Sequence, residues 1–462
     1  MVIGIFGIVL SLFLLMYLAY RGINVLVLAP IMALLAIFIA GEGPLLATYT
    51  QIFMKSLGNY LIIFFPLFLL GAIFGKLMDD SGSARSIAHT IVTRLGSHQA
   101  ILAIVLACGI LTYGGVSLFV VAFAVYPIAA SLFREANVPK RLVPGAIALG
   151  SFTFTMTAFP GTPAIQNAIP MAFFGTDPFA APGLGVIGGL IMMVGGIVWL
   201  NRRAAAARAR GEGYGDWPEE HDEQTASGHV PPFLIALIPI ILVILFNYLF
   251  TRVFIPMWDT AYLAEPAYGE TNIDAVRGIW SIISALIIAI VSLILLNWKR
   301  WVDLKDSVNK GTMGSLLPIF NTASEVGYGT VIASMGAFMI IRDAVVGISA
   351  NPLISLAVAV NVLAGITGSA SGGMSIALQT LGATYLEIAQ NVGISPDLLH
   401  RISSMSSGGF DALPHNGAVI TLLAICRLTH RDSYPDIFVV AVATPVLALI
   451  VVLILGTLFG SF

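Results

Sequence analysis

Apolar runs long enough to cross a bilayer, roughly 20 residues each, recur along the whole chain and are divided by short polar turns. They place spans near 2–20, 23–40, 58–78, 141–175 and 183–200, then near 232–252, 276–298, 312–345, 397–430 and 435–458. Two further apolar stretches, 100–133 and 351–390, are interrupted by glycine. One long hydrophilic segment, 201–231, separates the two groups. The pattern predicts an all-α polytopic membrane protein with a first unit over 1–200, a linker over 201–231 and a second unit over 232–462.

Composition agrees: hydrophobic residues make up 58% of the 462 and charged residues 10%, far from the balance of a soluble domain. A net charge of −2 gives no reason to expect nucleic acid. No Lys or Arg precedes the run from Val2 to Tyr20, so it reads as a retained span rather than a signal peptide. Cys108 and Cys426 both lie in apolar segments, so neither a disulfide framework nor a metal site is expected.

Basic residues set the orientation. Arg202, Arg203, Arg208 and Arg210 follow a span directly, which puts 201–231 in the cytoplasm. Lys76, Arg85, Arg94, Arg134, Lys140, Arg141, Lys299, Arg300, Lys305, Lys310, Arg427 and Arg431 then fall inside as well. Acidic Asp259, Glu265, Glu270 and Asp274 fall outside, as do both termini. This works only if 100–133 and 351–390 each enter and leave on one side, as re-entrant hairpins. The expected architecture is an inverted repeat of five plus five spans, each half carrying one hairpin and one broken helix, a common plan among secondary transporters.

Local motifs support the pairing. TYGGVS (112–117) lies in the first hairpin and TGSASGGMS (367–375) in the second. AFPGTPAIQN (158–167) follows the first and ALPHNGAVI (412–420) the second. Gly114 to Pro160 and Gly368 to Pro414 are both 46 residues apart. Segments 141–175 and 397–430 are too long for single bilayer-spanning helices, so breaks are expected at 159–163 and 413–417.

Breaks at membrane depth free backbone N–H and C=O groups, which lipid does not tolerate unless they line a polar cavity. Half-helix N-termini there suit a carboxylate. Candidate anion-binding residues are Thr112, Gly114, Gly115, Ser117, Gly161, Thr162 and Asn167 in the first half. In the second half they are Thr367, Ser369, Ser371, Gly372 and Asn416. Close helix packing explains any one of these glycines equally well.

Ionisable residues inside apolar segments are costly and need a reason. Asp411 and His415 flank the second break and have no counterpart in the first. His415 is the first candidate proton carrier, although a structural hydrogen bond to nearby backbone would also account for it. Asp411 either orients His415 or carries the proton. Glu325 is either a second proton site or a packing donor. Arg342 and Asp343 read as an interfacial pair. His400 and Arg401 read as interfacial, with the arginine reaching towards the outer surface. Segment 81–98 reads as a surface-lying amphipathic helix.

NTASEVGYGTVIAS, NVLAGITGSASGGMSIAL, SPDLLHRISSMSSGGFDALPHNGAVITLLA and LTHRDSYPDIF resemble the gluconate permease (GntP) family of proton symporters. The resemblance covers nearly the whole chain and is clearest over 321–440. Within the family it is closest to hydroxybutyrate permeases. The first break of sugar-acid members resembles PHPGP; here AFPGTPAIQN lacks the histidine, which argues for a smaller or less hydroxylated acid than gluconate. The family belongs to the ion transporter superfamily, whose divalent-anion:sodium symporters have similar hairpins and unwound helices. That similarity implies a homodimeric elevator in a bacterial-type inner membrane. The resemblance to the GntP family implies import of a gluconate-like or short hydroxy-monocarboxylate such as 3-hydroxybutyrate, with a proton as coupling ion and no cofactor. Sodium coupling, a channel or uniporter, and an intramembrane enzyme using the Ser, His and Asp near 406–415 are the alternatives.

Overall fold

The computed structural model of the protein describes residues 2–215, 217 and 230–462. The described residues form helices and no strand. In the first half these are α1 (Val2–Tyr20), α2 (Val25–Ala40), α3 (Leu45–Asp80), α4 (Ser83–Leu95), α5 (Ala100–Tyr113), α6 (Leu118–Glu135), α7 (Val143–Phe152), α8 (Phe154–Thr157), α9 (Ile165–Phe174) and α10 (Pro182–Ala209). The second half has α11 (Phe233–Met257), α12 (Ile273–Leu296), α13 (Leu304–Ala333), α14 (Phe338–Val346), α15 (Pro352–Thr367), α16 (Ala370–Asn391), α17 (Pro396–Ser407), α18 (Gly417–Ile425) and α19 (His430–Phe459). Among the described residues, seven helices are long and apolar enough to cross a membrane, or nine if each of two sharply bent pairs counts as one span.

The order of elements in the first half recurs in the second. Two spans are followed by a long third helix (α3, α13) and a short helix (α4, α14). A two-armed hairpin (α5–α6, α15–α16), a broken segment (α7–α9, α17–α18) and a final span (α10, α19) complete each half. The long helices α3 and α13 pack along each other. Each hairpin's arms pack on one another.

Local sequence sets the helix starts. Asn24, Asn272, Asp303, Asn351, Ser369, Ser395 and Asn416 each accept a backbone N–H at the start of a helix, the usual chemistry of an N-cap. Thr429 and Asp432 form a reciprocal capping box before α19. Gly368, with φ +63°, closes α15, a conformation that glycine adopts without strain.

The helices depart from the expected spans in four places. The third helix starts at Leu45 rather than 58. Thr48, Thr50, Gln51 and Lys55 lower the hydropathy there but do not break the helix, and Thr50 Oγ1 donates to Leu46 O at 2.8 Å. The segment 312–345 is not one span: α14 turns away from α13 by 101°, and Glu42 accepts the freed Gly336 N–H at 2.9 Å. Segment 141–175 has an extra kink at Thr153, between α7 and α8. The second break runs from 408 to 416, longer than expected. Within 81–98 a helix does form: α4, nearly half of it buried, turned 103° from the arm that follows.

On the linker side, α10 continues to Ala209, beyond its apolar part. Asp436 is buried, 1% exposed at its side chain, and pairs with Arg141 (3.1 Å) and Arg203 (2.8 Å). Trp199 Nε1 also donates to it at 3.0 Å. Arg141 also holds Glu212 at 2.6 Å. This guanidinium keeps the Glu212 carboxyl below its ordinary range. The acidic residues Glu219, Glu220, Asp222 and Glu223 lie outside the described residues.

Candidate anion cavity

Four helices begin at one place. Leu118 and Phe119 open α6, Gln166 lies in the first turn of α9, Ala370 and Ser371 open α16, and Gly417 and Ala418 open α18. All seven line a single cavity of about 260 Å³. Phe152, Met156, Gly368, Ser369, Asp411, Ala412 and Asn416 complete its wall. The first N–H groups of a helix have no intrahelical acceptor and carry the positive end of the helix dipole. Four such ends around one cavity make a field suited to an anion.

The walls differ in chemistry. The first half supplies Leu118, Phe119, Phe152 and Met156, with Gln166 as its polar side chain. The second half supplies Ser369, Ser371, Asp411 and Asn416. The cavity is therefore apolar on one side and hydrogen-bonding on the other.

The second hairpin and second break are tied together. Asn416 Oδ1 accepts from Ala418 N and from Val419 N (3.3 Å), and its Nδ2 donates to Gly368 O at 2.8 Å. His415 Nε2 lies 2.9 Å from Gly365 O. A carbonyl only accepts, so this nitrogen carries the hydrogen. Ser369 Oγ caps Gly372 N at 3.0 Å and lies 3.5 Å from Ser371 Oγ. Thr367 Oγ1 donates to Leu363 O within its own helix. Asp411 faces the cavity, and its buried Oδ1 has no hydrogen-bond partner among the described residues.

The first hairpin and first break are tied by a different bond. Tyr113 OH donates to Pro160 O at 2.6 Å. Gly115, with φ +93°, sits over Pro163, and Gly114 packs against Ile240 of α11. Thr112 is buried with its hydroxyl unpaired. Ser117 is exposed and directly precedes cavity-lining Leu118.

Gly161, Thr162 and Asn167 do not line the cavity. They form a buried staple instead. Gly161 N donates to Pro178 O at 2.8 Å, and Asn247 Nδ2 donates to Gly161 O at 2.9 Å. Asn167 Nδ2 reaches Thr162 O (3.1 Å) and Pro178 O (3.0 Å). Its Oδ1 meets His400 Nε2 at 3.2 Å, and His400 Nδ1 meets Thr176 Oγ1 at 2.6 Å. Gly372 and Glu325 pack on each other away from the cavity.

His400 and Arg401 were expected at the interface; both are fully buried. Arg401 Nε and Nη2 donate to Ala180 O at 3.1 and 2.8 Å, and Nη1 reaches Thr157 O at 3.4 Å. Thr157 ends the half-helix before the first break. A cation there satisfies carbonyls at the negative end of that half-helix. The negative end is thus paired with Arg401, while the positive ends face the cavity. Arg342 and Asp343 form a pair at 2.9 Å, away from the cavity.

Comparison with known proteins decides the family. The model of the GntP family permeases matches residues 1–457. The chain belongs to the GntP permease family. A relative of this GntP permease in Bacillus subtilis, the uncharacterized transporter YxjC, is 46% identical over 94% of each chain. The high-affinity gluconate transporter of Escherichia coli is 34% identical over 127 residues, 27% of each chain. The YdaH transporter of Alcanivorax borkumensis has a similar fold, with a TM-score of 0.57 over 88% of each chain at 14% identity. The protein is a multi-pass membrane transporter of the gluconate permease type, and its relatives' names point to transport rather than catalysis.

Proposed function

We propose that this permease imports a short hydroxy-monocarboxylate together with protons. The two-sided cavity carries the reading. Its helix N-termini and the side chains of Ser369, Ser371 and Asn416 suit a carboxylate and one hydroxyl. The wall of Leu118, Phe119, Phe152 and Met156 suits a short carbon chain. A polyhydroxylated acid would leave hydroxyls facing that apolar wall unpaired, which is costly. The E. coli relative is named for gluconate; the absence of a histidine in AFPGTPAIQN and the apolar wall both favour a less hydroxylated acid here.

Asp411 supplies the coupling. An ionised Asp411 and a bound carboxylate in one small cavity lie close enough to repel strongly. Two like charges roughly 4 Å apart at an effective dielectric of about 20 repel by about 4 kcal/mol, nearly a thousandfold in affinity. A protonated Asp411 removes that repulsion and can donate a hydrogen bond to the anion. Proton and anion therefore bind together and leave together. His415 holds the second break against Gly365 and keeps Asp411 in the wall.

The recurring element order, read with the distribution of basic loops, supports two inverted halves that alternate access to the cavity. An elevator-like movement in a homodimer, with both termini outside an inner membrane, is the arrangement this implies. Uptake of radiolabelled 3-hydroxybutyrate into proteoliposomes under an imposed inward proton gradient tests the reading. Accumulation that collapses with the gradient supports it. Accumulation that follows a sodium gradient and ignores pH refutes it. Downhill flux alone points to a uniporter.

A further inference from the structure

A second polar cluster lies outside the anion cavity, where α13 packs between α3 and α16. Glu325 of α13 is 3% exposed, and its Oε2 has no hydrogen-bond partner among the described residues. It abuts Gly372 in the first turn of α16, where an added Cβ would sit 1.6 Å from Oε2. The missing side chain at 372 is what gives the carboxyl its room. The buried hydroxyls of Tyr60 on α3 and Ser375 on α16 lie near it, within reach of each other. A buried carboxyl oxygen without a partner is rare and calls for a reason; here, beside two hydroxyls at a helix interface, it marks a place for an occupant that comes and goes.

The chemistry selects a proton. The helices packed on this part of α13 are α2, α3 and α16. Helix α2 has no titratable side chain, and Tyr60 is the titratable group that α3 and α16 bring to Glu325. A carboxylate without a cationic partner is disfavoured in such a place, whereas the neutral acid fills it. A polar route joins the cluster to the cavity. Thr322, one turn before Glu325, has its hydroxyl 3.4 Å from Ser371 Oγ, which is 3.5 Å from Ser369 Oγ. Both serines line the cavity.

We infer that Glu325, with Tyr60 and Ser375, is a second proton-binding site, reached from the anion cavity along Ser369, Ser371 and Thr322. A proton bonds to the Glu325 carboxylate on loading and leaves it on release, and nothing is oxidised or reduced. This rests on the symport reading, in which Asp411 carries the first proton. Two protons with one monoanion move one net positive charge; one proton with one monoanion moves none.

Proteoliposomes with a potassium gradient and valinomycin, and no pH gradient, separate the two cases. An inside-negative potential of about 100 mV should drive roughly fiftyfold accumulation in the wild type, as expected for one net charge. Glu325→Gln, which mimics the neutral acid, should lose that response and still accumulate the acid under a pH gradient. A Glu325→Gln variant that keeps the wild-type response to potential overturns the inference, as does a wild type that ignores potential. If the wild type transports no carboxylate tested, the symport reading fails by itself. Infrared titration of the purified full chain then still decides Glu325. The stretch of a protonated carboxylic acid should be lost in Glu325→Gln, kept in Asp411→Asn and shifted in Ser375→Ala, which retains the carboxyl should Glu325→Gln not fold. The same spectrum in the wild type and in both Glu325→Gln and Ser375→Ala overturns the inference.

Discussion

Gly373→Ala tests the close approach that sets the second hairpin's tip. A Cβ at 373 would lie 2.2 and 2.3 Å from Ala364 N and Cα, and 2.5 Å from Leu363 C. All three atoms are backbone of the opposite arm, so no flexible side chain can yield. The arms would have to part by about 1 Å to restore ordinary contact. Overpacking of this kind costs typically 1–3 kcal/mol, and the rigid surroundings put this site at about 3 kcal/mol. Ser369 and Ser371 ride on the displaced arm, so the cavity should distort as well. The control is Gly314→Ala on α13, where nothing lies within 4 Å of the added Cβ; it should be neutral or stabilise by roughly 0.5–1 kcal/mol. Thermal unfolding in detergent and initial uptake rates in proteoliposomes read both variants. Gly373→Ala should melt earlier and transport poorly at normal expression, whereas Gly314→Ala should do neither. Equal melting and equal uptake in the two variants would refute the packing argument.

Other perturbations probe the cavity and the linker side. Asp411→Asn should retain exchange of labelled for unlabelled acid but lose that proton's contribution to accumulation, about tenfold per pH unit; unchanged gradient-driven accumulation would count against its role. Asn416→Ala removes the cap on α18 and the bond to Gly368 O, so it should cost about 2 kcal/mol in stability and weaken substrate-induced thermal stabilisation. Asn416→Asp keeps the cap but places a charge beside the anion, so it should bind substrate worse than the alanine variant. Because Arg141 lowers the Glu212 pKa, the Glu212 contact stabilises above the ordinary glutamate range and fades as pH falls through the lowered value. The melting difference between wild type and Glu212→Gln should be present at neutral pH and vanish well below pH 4.5; a difference that grows in acid has the wrong sign.

Much of this architecture is legible in the sequence, because lipid makes each apolar run and each break conspicuous. TYGGVS, TGSASGGMS, AFPGTPAIQN and ALPHNGAVI mark the segments whose helix ends meet at the cavity. What the motifs do not reveal is which side chains turn inward. Asn167 and Asn416 look alike as polar residues beside a proline break. Yet Asn416 caps α18 at the cavity, while Asn167 is drawn away by His400 and Pro178. His400 and Arg401 misled for a related reason. A charge near the start of a span usually reaches water, and only the fold brings the carbonyls of Ala180 and Thr157 to the guanidinium. The apolar lining residues Phe152 and Met156 carry no signal, because in a membrane helix they match their neighbours. The start of α3 was hidden by threonines and a lysine that satisfy a hydropathy boundary without ending a helix.

The anion is to be held where α6, α9, α16 and α18 begin. A cryo-electron microscopy map of the full chain, saturated with the acid selected by a thermal-shift screen of hydroxy and sugar acids, examines this directly. The prediction is density with its carboxylate at hydrogen-bonding distance from the first amides of α16 and α18, and its carbon chain against Phe119, Phe152 and Met156. Density for the acid outside this cavity, with the cavity itself empty, would contradict it.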